Sequence, residues 1–160
     1  MLSHLDAAGK ARMVDVGGKP VTQRAAVAEG AIRMSRGAFE QVAANQVAKG
    51  DVLAVAEVAG TLGAKRTAEL IPLCHPLGLD HLEVSASLDE DLPGVRVRAS
   101  VRAVGRTGVE MEAMTAVAVA LLTVYDMVKS ADRRMEMLDV RLLEKSGGTH
   151  GDWRREVDAP

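Results

Sequence analysis

Asp126 and Lys129 stand three residues apart in the run Tyr125-Asp126-Met127-Val128-Lys129. On a helix that spacing puts both side chains on neighbouring rows of one face. A carboxylate and an ammonium held there could pass a proton, with pKa values set by burial and by each other. The same spacing also suits an ordinary salt bridge, which on spacing alone is the somewhat better reading. Glu110 and Glu112 flank Met111 at the other end of the same apolar segment. Acids are favoured at a helix N-terminus. In extended chain, one of the two would point into a site and the other away.

A second cluster is Pro72-Leu73-Cys74-His75-Pro76, a stiff loop with an imidazole beside a proline. One cysteine and four scattered histidines are a poor basis for a zinc site. Cys74 and His75 are adjacent, so their side chains diverge, which argues against a Cys-His nucleophile pair. Either the loop is a structural turn or His75 is a fixed hydrogen-bond donor to a ligand. The cations are Arg24, Lys49, Lys65, Arg66 and Lys145. Lys65-Arg66 follows Gly60 and Gly63, but the run matches neither a G-x-G-x-x-G fingerprint nor a P-loop. A phosphate site in this chain must therefore be assembled from side chains across the fold.

The elements that would position these groups follow from periodicity. Val21 to Met34 reads as a strand. Ser35 caps a helix predicted to run to about Ala48, and Lys49-Gly50-Asp51 is a break that supplies a fresh cap. A second helix is predicted over Val52 to Leu70, with Gly60 and Gly63 weakening it. Prolines 72 and 76 end that helix. Leu82 to Leu88 and Val95 to Ala103 alternate around an acidic turn, which predicts a hairpin. A long helix from about Val109 to Ala131 and a last strand from Met135 to Leu143 complete the order. That order is the α+β, ferredoxin-like βαββαβ arrangement: an antiparallel sheet with helices packed on one face. One domain over 1–160 is expected, with 1–20 and 146–160 loop-like.

Composition narrows the function. Twenty Lys and Arg face 22 Asp and Glu, a net charge of -2. Such a balance gives no sign of nucleic-acid binding, and Phe39, Tyr125 and Trp153 are too few aromatics for a base-stacking platform. A lone Cys74 excludes an internal disulfide and fits a reducing compartment. Met1 to Asp6 lacks a basic region followed by an apolar core, so no secretory signal is expected. Ala113 to Tyr125 is shorter than the roughly 20 residues of a membrane span. Being apolar on nearly every side, it predicts a helix buried in the core or between subunits. The expectation is a cytoplasmic protein without membrane contact.

Leu70-Ile71-Pro72-Leu73-Cys74-His75-Pro76-Leu77, Thr107-Gly108-Val109-Glu110-Met111-Glu112-Ala113 and Tyr125-Asp126-Met127-Val128-Lys129 together resemble the cyclic pyranopterin monophosphate synthase family, the molybdenum-cofactor biosynthesis accessory protein C. Met13-Val14-Asp15-Val16, Lys49-Gly50-Asp51-Val52-Leu53, Lys65-Arg66-Thr67 and Lys145-Ser146-Gly147-Gly148 match in the same order, and the likeness extends from Ser3 to Asp152. The resemblance implies a lyase that converts 3′,8-cyclo-7,8-dihydro-GTP to cyclic pyranopterin monophosphate and pyrophosphate. It implies a ferredoxin-like subunit in a hexamer, a trimer of dimers, with sites at subunit interfaces. It assigns catalysis to Asp126 and Lys129, with Lys49 a further catalytic candidate. Leu73, Cys74, His75, Met111 and Glu112 become substrate contacts, and Arg24, Lys65, Glu110 and Lys145 line the site. No metal or cofactor is required by the sequence, though a divalent cation could arrive with the triphosphate. The chain departs from many members at Val128 and at Thr149-His150, where a Lys-Ser pair is usual; Lys145 remains as the cation of that tail.

Overall fold

In the computed structural model, which describes residues 9–149 and 151–156, strand β1 (Thr22–Arg33) leads into helices α1 (Arg36–Ala43), α2 (Val52–Lys65) and the single turn α3 (Thr67–Leu70). The hairpin β2 (His81–Asp89) and β3 (Gly94–Gly105) follows, then α4 (Glu110–Val128), β4 (Glu136–Ser146) and β5 (Trp153–Arg154). The five strands lie in the order β2-β3-β1-β4-β5, and every pair is antiparallel. The first four reproduce the ferredoxin-like order expected from the sequence. The readings of Met1 to Asp6 and of His150 fall outside the described residues.

Alternation decides which face of the sheet is covered. Val95, Val97, Ala99, Val101 and Ala103 of β3 are buried, whereas Arg96, Arg98 and Arg102 between them are exposed. Ala26, Ala28 and Ile32 of β1 register with Val101, Ala99 and Val95 on the covered side. Helix α4 lies across β1 and β3, and α2 packs beside it over β2. Ala113, Ala116, Val117, Ala120, Leu121 and Val124 of α4 are fully buried. At 19 residues α4 ends at Val128, a little short of the expected Ala131, and its length and composition would suit a membrane span. Its burial against sheet and α2 instead makes it the core helix. It is not covered all round: Met111 and Leu122 are exposed.

Local chemistry explains the boundaries. The Ser35 hydroxyl accepts from the Ala38 amide at 3.4 Å, and Asp51 Oδ1 from the Ala54 amide at 3.0 Å, as N-caps do. Helix α1 stops at Ala43, well before the predicted Ala48. Asn45 takes φ +52° there, and the Asn45 and Gln46 amides donate to the Val42 and Gln41 carbonyls, a Schellman closure. The helix predicted as far as Leu70 breaks at Arg66, leaving α2 and the short α3. Gly60 and Gly63, read as weaknesses, are points of close approach. A Cβ at Gly60 would lie 2.9 Å from the Ala116 carbonyl oxygen, and one at Gly63 would lie 2.8 Å from Val119 Cβ. In the tail, β5 pairs Trp153 with Lys145 and Arg154 with Glu144.

Candidate functional site

Helices α2 and α4 run antiparallel: Lys49, just before α2, reaches Asp126 near the end of α4, while Gly60 packs on Ala116 and Ala120. This arrangement divides the candidate residues into two groups.

One group gathers at the C-terminal end of α4. Lys129 Nζ donates to Asp126 Oδ1 at 2.7 Å, and Lys49 Nζ to Asp126 Oδ2 at 2.5 Å. Lys49 also donates to the Asp126 carbonyl oxygen at 2.9 Å, so it caps the helix as well. The turn that delivers Lys49 is set by the Asn45 closure and by Gly50 at φ +97°. All three side chains are about half exposed. Proximity to two ammoniums, rather than burial, therefore governs this carboxylate. Hydrogen bonds from Lys129 and then Lys49 hold the Asp126 pKa down to about 2. Asp132 stiffens the following turn, accepting from the Ser35 amide at 2.7 Å and the Arg134 amide at 2.8 Å.

The second group lies at the N-terminal end of α4. Lys145 on β4 donates to Glu110 Oε1 at 2.8 Å. Arg24 on β1 is buried and donates to the carbonyls of Gly105 and Arg106 at 3.4 and 3.2 Å. Gly147 and Gly148, both at positive φ, let the chain wrap this guanidinium; a Cβ at Gly148 would collide with it. Arg24, Glu110, Lys145 and Gly147 line a cleft of about 180 Å³. Two of its cations, Lys19 and Arg106, were not singled out from the sequence, although Arg106 directly precedes the Thr107-Gly108-Val109-Glu110 run.

Glu112 is buried in the first turn of α4. Burial, reinforced by the nearby charge of Glu110, raises its pKa. The Cys74 thiol is also raised, by burial and then by Glu112, which places the loop after α3 against this end of the helix. Leu73, Cys74 and His75 are half-buried, and Leu77 lies beside Gly105, next to the Arg24 cleft. Met111 is exposed. Lys65 is exposed at the C-terminal end of α2, which points the same way. Among the described residues no three His, Cys, Asp or Glu side chains gather as a metal site.

Between positions 110 and 126 lie about 24 Å of helix. Lys49, Asp126 and Lys129 therefore do not share one pocket with Glu112, Cys74 or Lys145 of the same chain. One end offers a carboxylate between two ammoniums, the other a set of cations and a buried carboxyl.

Comparison with known proteins agrees with the motifs that build both ends. The chain is 55% identical to cyclic pyranopterin monophosphate synthase of Brucella ovis over 152 residues, 95% of this chain and 92% of the relative. The proteins of that name from Brucella melitensis and Brucella abortus match to the same extent. Residues 13–148, which include every candidate discussed above, match the model of the MoaC family, and the chain belongs to that family.

Proposed function

We propose that this chain converts 3′,8-cyclo-7,8-dihydro-GTP to cyclic pyranopterin monophosphate with release of pyrophosphate, in the cytoplasm, as a step of molybdenum cofactor biosynthesis. The observation that carries the reading is family membership over 13–148, with relatives of that name matching nearly end to end. The site chemistry supports it.

The reaction opens and recloses the guanine-derived ring and then forms a cyclic phosphate. In the last step a substrate hydroxyl bonds to the α-phosphorus, the bond to pyrophosphate breaks, and the hydroxyl proton passes to a base. Asp126 stays ionised between Lys49 and Lys129 and so orients two ammoniums that can deliver protons or steady charge on the substrate. Arg24, Lys145, Lys19 and Arg106 can neutralise charge building on a phosphate leaving group. Glu112, its carboxyl pushed toward the protonated form, suits hydrogen bonding to a heterocycle.

The separation of the two groups along α4 supports a homo-oligomer in which neighbouring chains complete each site, and the family likeness suggests a hexamer built as a trimer of dimers. The test is incubation of the protein with the cyclised GTP intermediate. Pyrophosphate and an oxidisable, fluorescent pterin should appear together. Pyrophosphate without pterin, or neither, would refute the assignment. Light scattering checks the assembly.

A further inference from the structure

Lys49 and Lys129 both reach Asp126, although all three side chains are about half exposed. A half-exposed lysine gains little from one ion pair and loses rotamer freedom in holding it. What brings these ammoniums to the carboxylate is therefore where the backbone carries them. Lys129 follows Asp126 at the end of the same helix. Lys49 comes from a separate segment, the turn between α1 and α2.

One buried side chain joins the two segments. Asp132 lies just beyond Lys129, and its side chain is 7% exposed. Its Oδ1 accepts the Arg134 amide at 2.8 Å, and its Oδ2 accepts the Ser35 amide at 2.7 Å. The Arg134 amide and then the Ser35 amide hold this carboxyl below its ordinary range. At neutral pH both bonds are therefore charge-assisted. Ser35 is the N-cap of α1, a helix of eight residues that meets the core through Ala38, Phe39 and Val42. Fixing the start of so short a helix fixes where its far end points. From that far end the Asn45 closure and the Gly50 turn deliver Lys49. The contacts close a ring: Asp132 to Ser35, α1 to Lys49, Lys49 to Asp126, and the end of α4 back to Asp132.

We infer that Asp132 is a positioning residue, whose bond to the Ser35 amide holds the α1 segment against the end of α4 so that the Lys49 ammonium meets Asp126. The inference rests on the proposed function in giving that cluster a substrate to act on.

Two measurements test it. Asp132→Ala removes both acceptors. Carbon NMR of the Asp126 carboxyl should then show a midpoint above the wild-type value of about 2, as withdrawal of an ammonium requires. Val101→Ala truncates the core opposite Ala26, in the half of the sheet away from Ser35. It should lower stability and leave the midpoint unchanged. A wild-type midpoint in folded Asp132→Ala, or an equal rise in Val101→Ala, overturns the proposal. Should acid unfold the variant above that midpoint, the second measurement decides. Single-turnover rate on the cyclised GTP intermediate, per folded protein by circular dichroism, should fall about tenfold or more in Asp132→Ala. Calorimetric affinity for inorganic pyrophosphate should stay within about threefold. In a Lys49→Ala background the same change should lower the rate less than about twofold, because the group it positions is already gone. Full additivity of the two changes would make Asp132 a structural residue only and overturn the proposal. Asp132→Asn keeps one acceptor and should lie between wild type and Asp132→Ala in both measurements; should Asp132→Ala fail to fold, Asp132→Asn carries both. Failure of the functional assignment would look different: wild-type protein inert toward the cyclised intermediate, with the Asp126 midpoint still raised in Asp132→Ala.

Discussion

The Lys49 ammonium holds Asp126 twice, at 2.5 Å from Oδ2 and 2.9 Å from the carbonyl oxygen. One lysine thus orients the carboxylate and closes the end of the helix that carries it. Asp126→Asn keeps the side-chain volume and a carbonyl acceptor but removes the charge that holds both ammoniums. It should leave fold and assembly intact and lower turnover by about a hundredfold or more. Turnover near the wild-type rate in a steady-state assay would make Asp126 a structural partner only.

The same contacts predict a pH effect. A carboxyl depressed in the folded protein stabilises the fold above its ordinary range, and that contribution fades as pH falls through the folded value. For Asp126 the window runs from about 4 down to about 2. Carbon NMR of the Asp126 carboxyl should show this low midpoint in the wild-type chain and a higher one in Lys49→Ala. An unchanged midpoint in that variant would mean that Lys129 alone sets it.

Lys129 contacts the other oxygen of Asp126 and no helix carbonyl by its side chain among the described bonds. Lys129→Ala should therefore leave affinity for a substrate analogue within about threefold while single-turnover rate falls about a hundredfold. Calorimetry beside rapid quench separates the two. Affinity and rate falling together would make Lys129 a phosphate clamp.

Glu112 and Cys74 are coupled. Burial and Glu110 disfavour the Glu112 carboxylate, and Glu112 in turn disfavours the Cys74 thiolate. For a carboxyl with a raised folded pKa, ionisation costs stability above that value, and the cost disappears as pH falls. Glu112→Gln should thus melt a few degrees higher than wild type at pH 8, where about 1 kcal/mol is worth about 3 °C, and the gap should close toward pH 4. Cys74, held up first by burial and then by Glu112, should also alkylate faster in this variant at pH 8. Equal alkylation rates would remove the coupling.

The sequence was most informative where one physical signal stood alone. Alternation placed the β2–β3 hairpin, and Ser35 and Asp51 marked both caps. It was weaker where a residue had two uses. Asn45 reads as a tolerable helix residue, but its left-handed turn ends α1 at Ala43, short of the expected Ala48. Trp153–Arg154 is too short a pairing to leave a pattern. Apart from Lys19 and Arg106, the candidate residues of the site carry sequence motifs. The expected long helix already set Glu112 and Asp126 at its opposite ends; what no motif encodes is the contact of Lys49 with Asp126, which depends on how α2 packs against α4.

Gly60 and Gly63 show how far helix propensity misleads here. An exposed Gly→Ala change inside a helix gains about 1 kcal/mol. At these positions α2 rests on α4, and a new methyl at Gly60 would press on Ala116 O and Val84 Cγ1, both 2.9 Å away, while one at Gly63 would press on Val119. The Ala116 carbonyl is backbone of the buried core helix and has little room to yield. Overpacking of this kind costs about 1–3 kcal/mol, which outweighs the propensity gain. Gly60→Ala should therefore unfold at lower urea concentration than wild type. Gly63→Ala should be hurt comparably, since Val119 Cβ, 2.8 Å away, moves only with its own backbone. Widening the spacing of α2 and α4 would also draw Lys49 away from Asp126, so turnover in Gly60→Ala should fall further than the loss of folded protein explains. A urea midpoint at or above wild type would show that the two helices have slack at this contact.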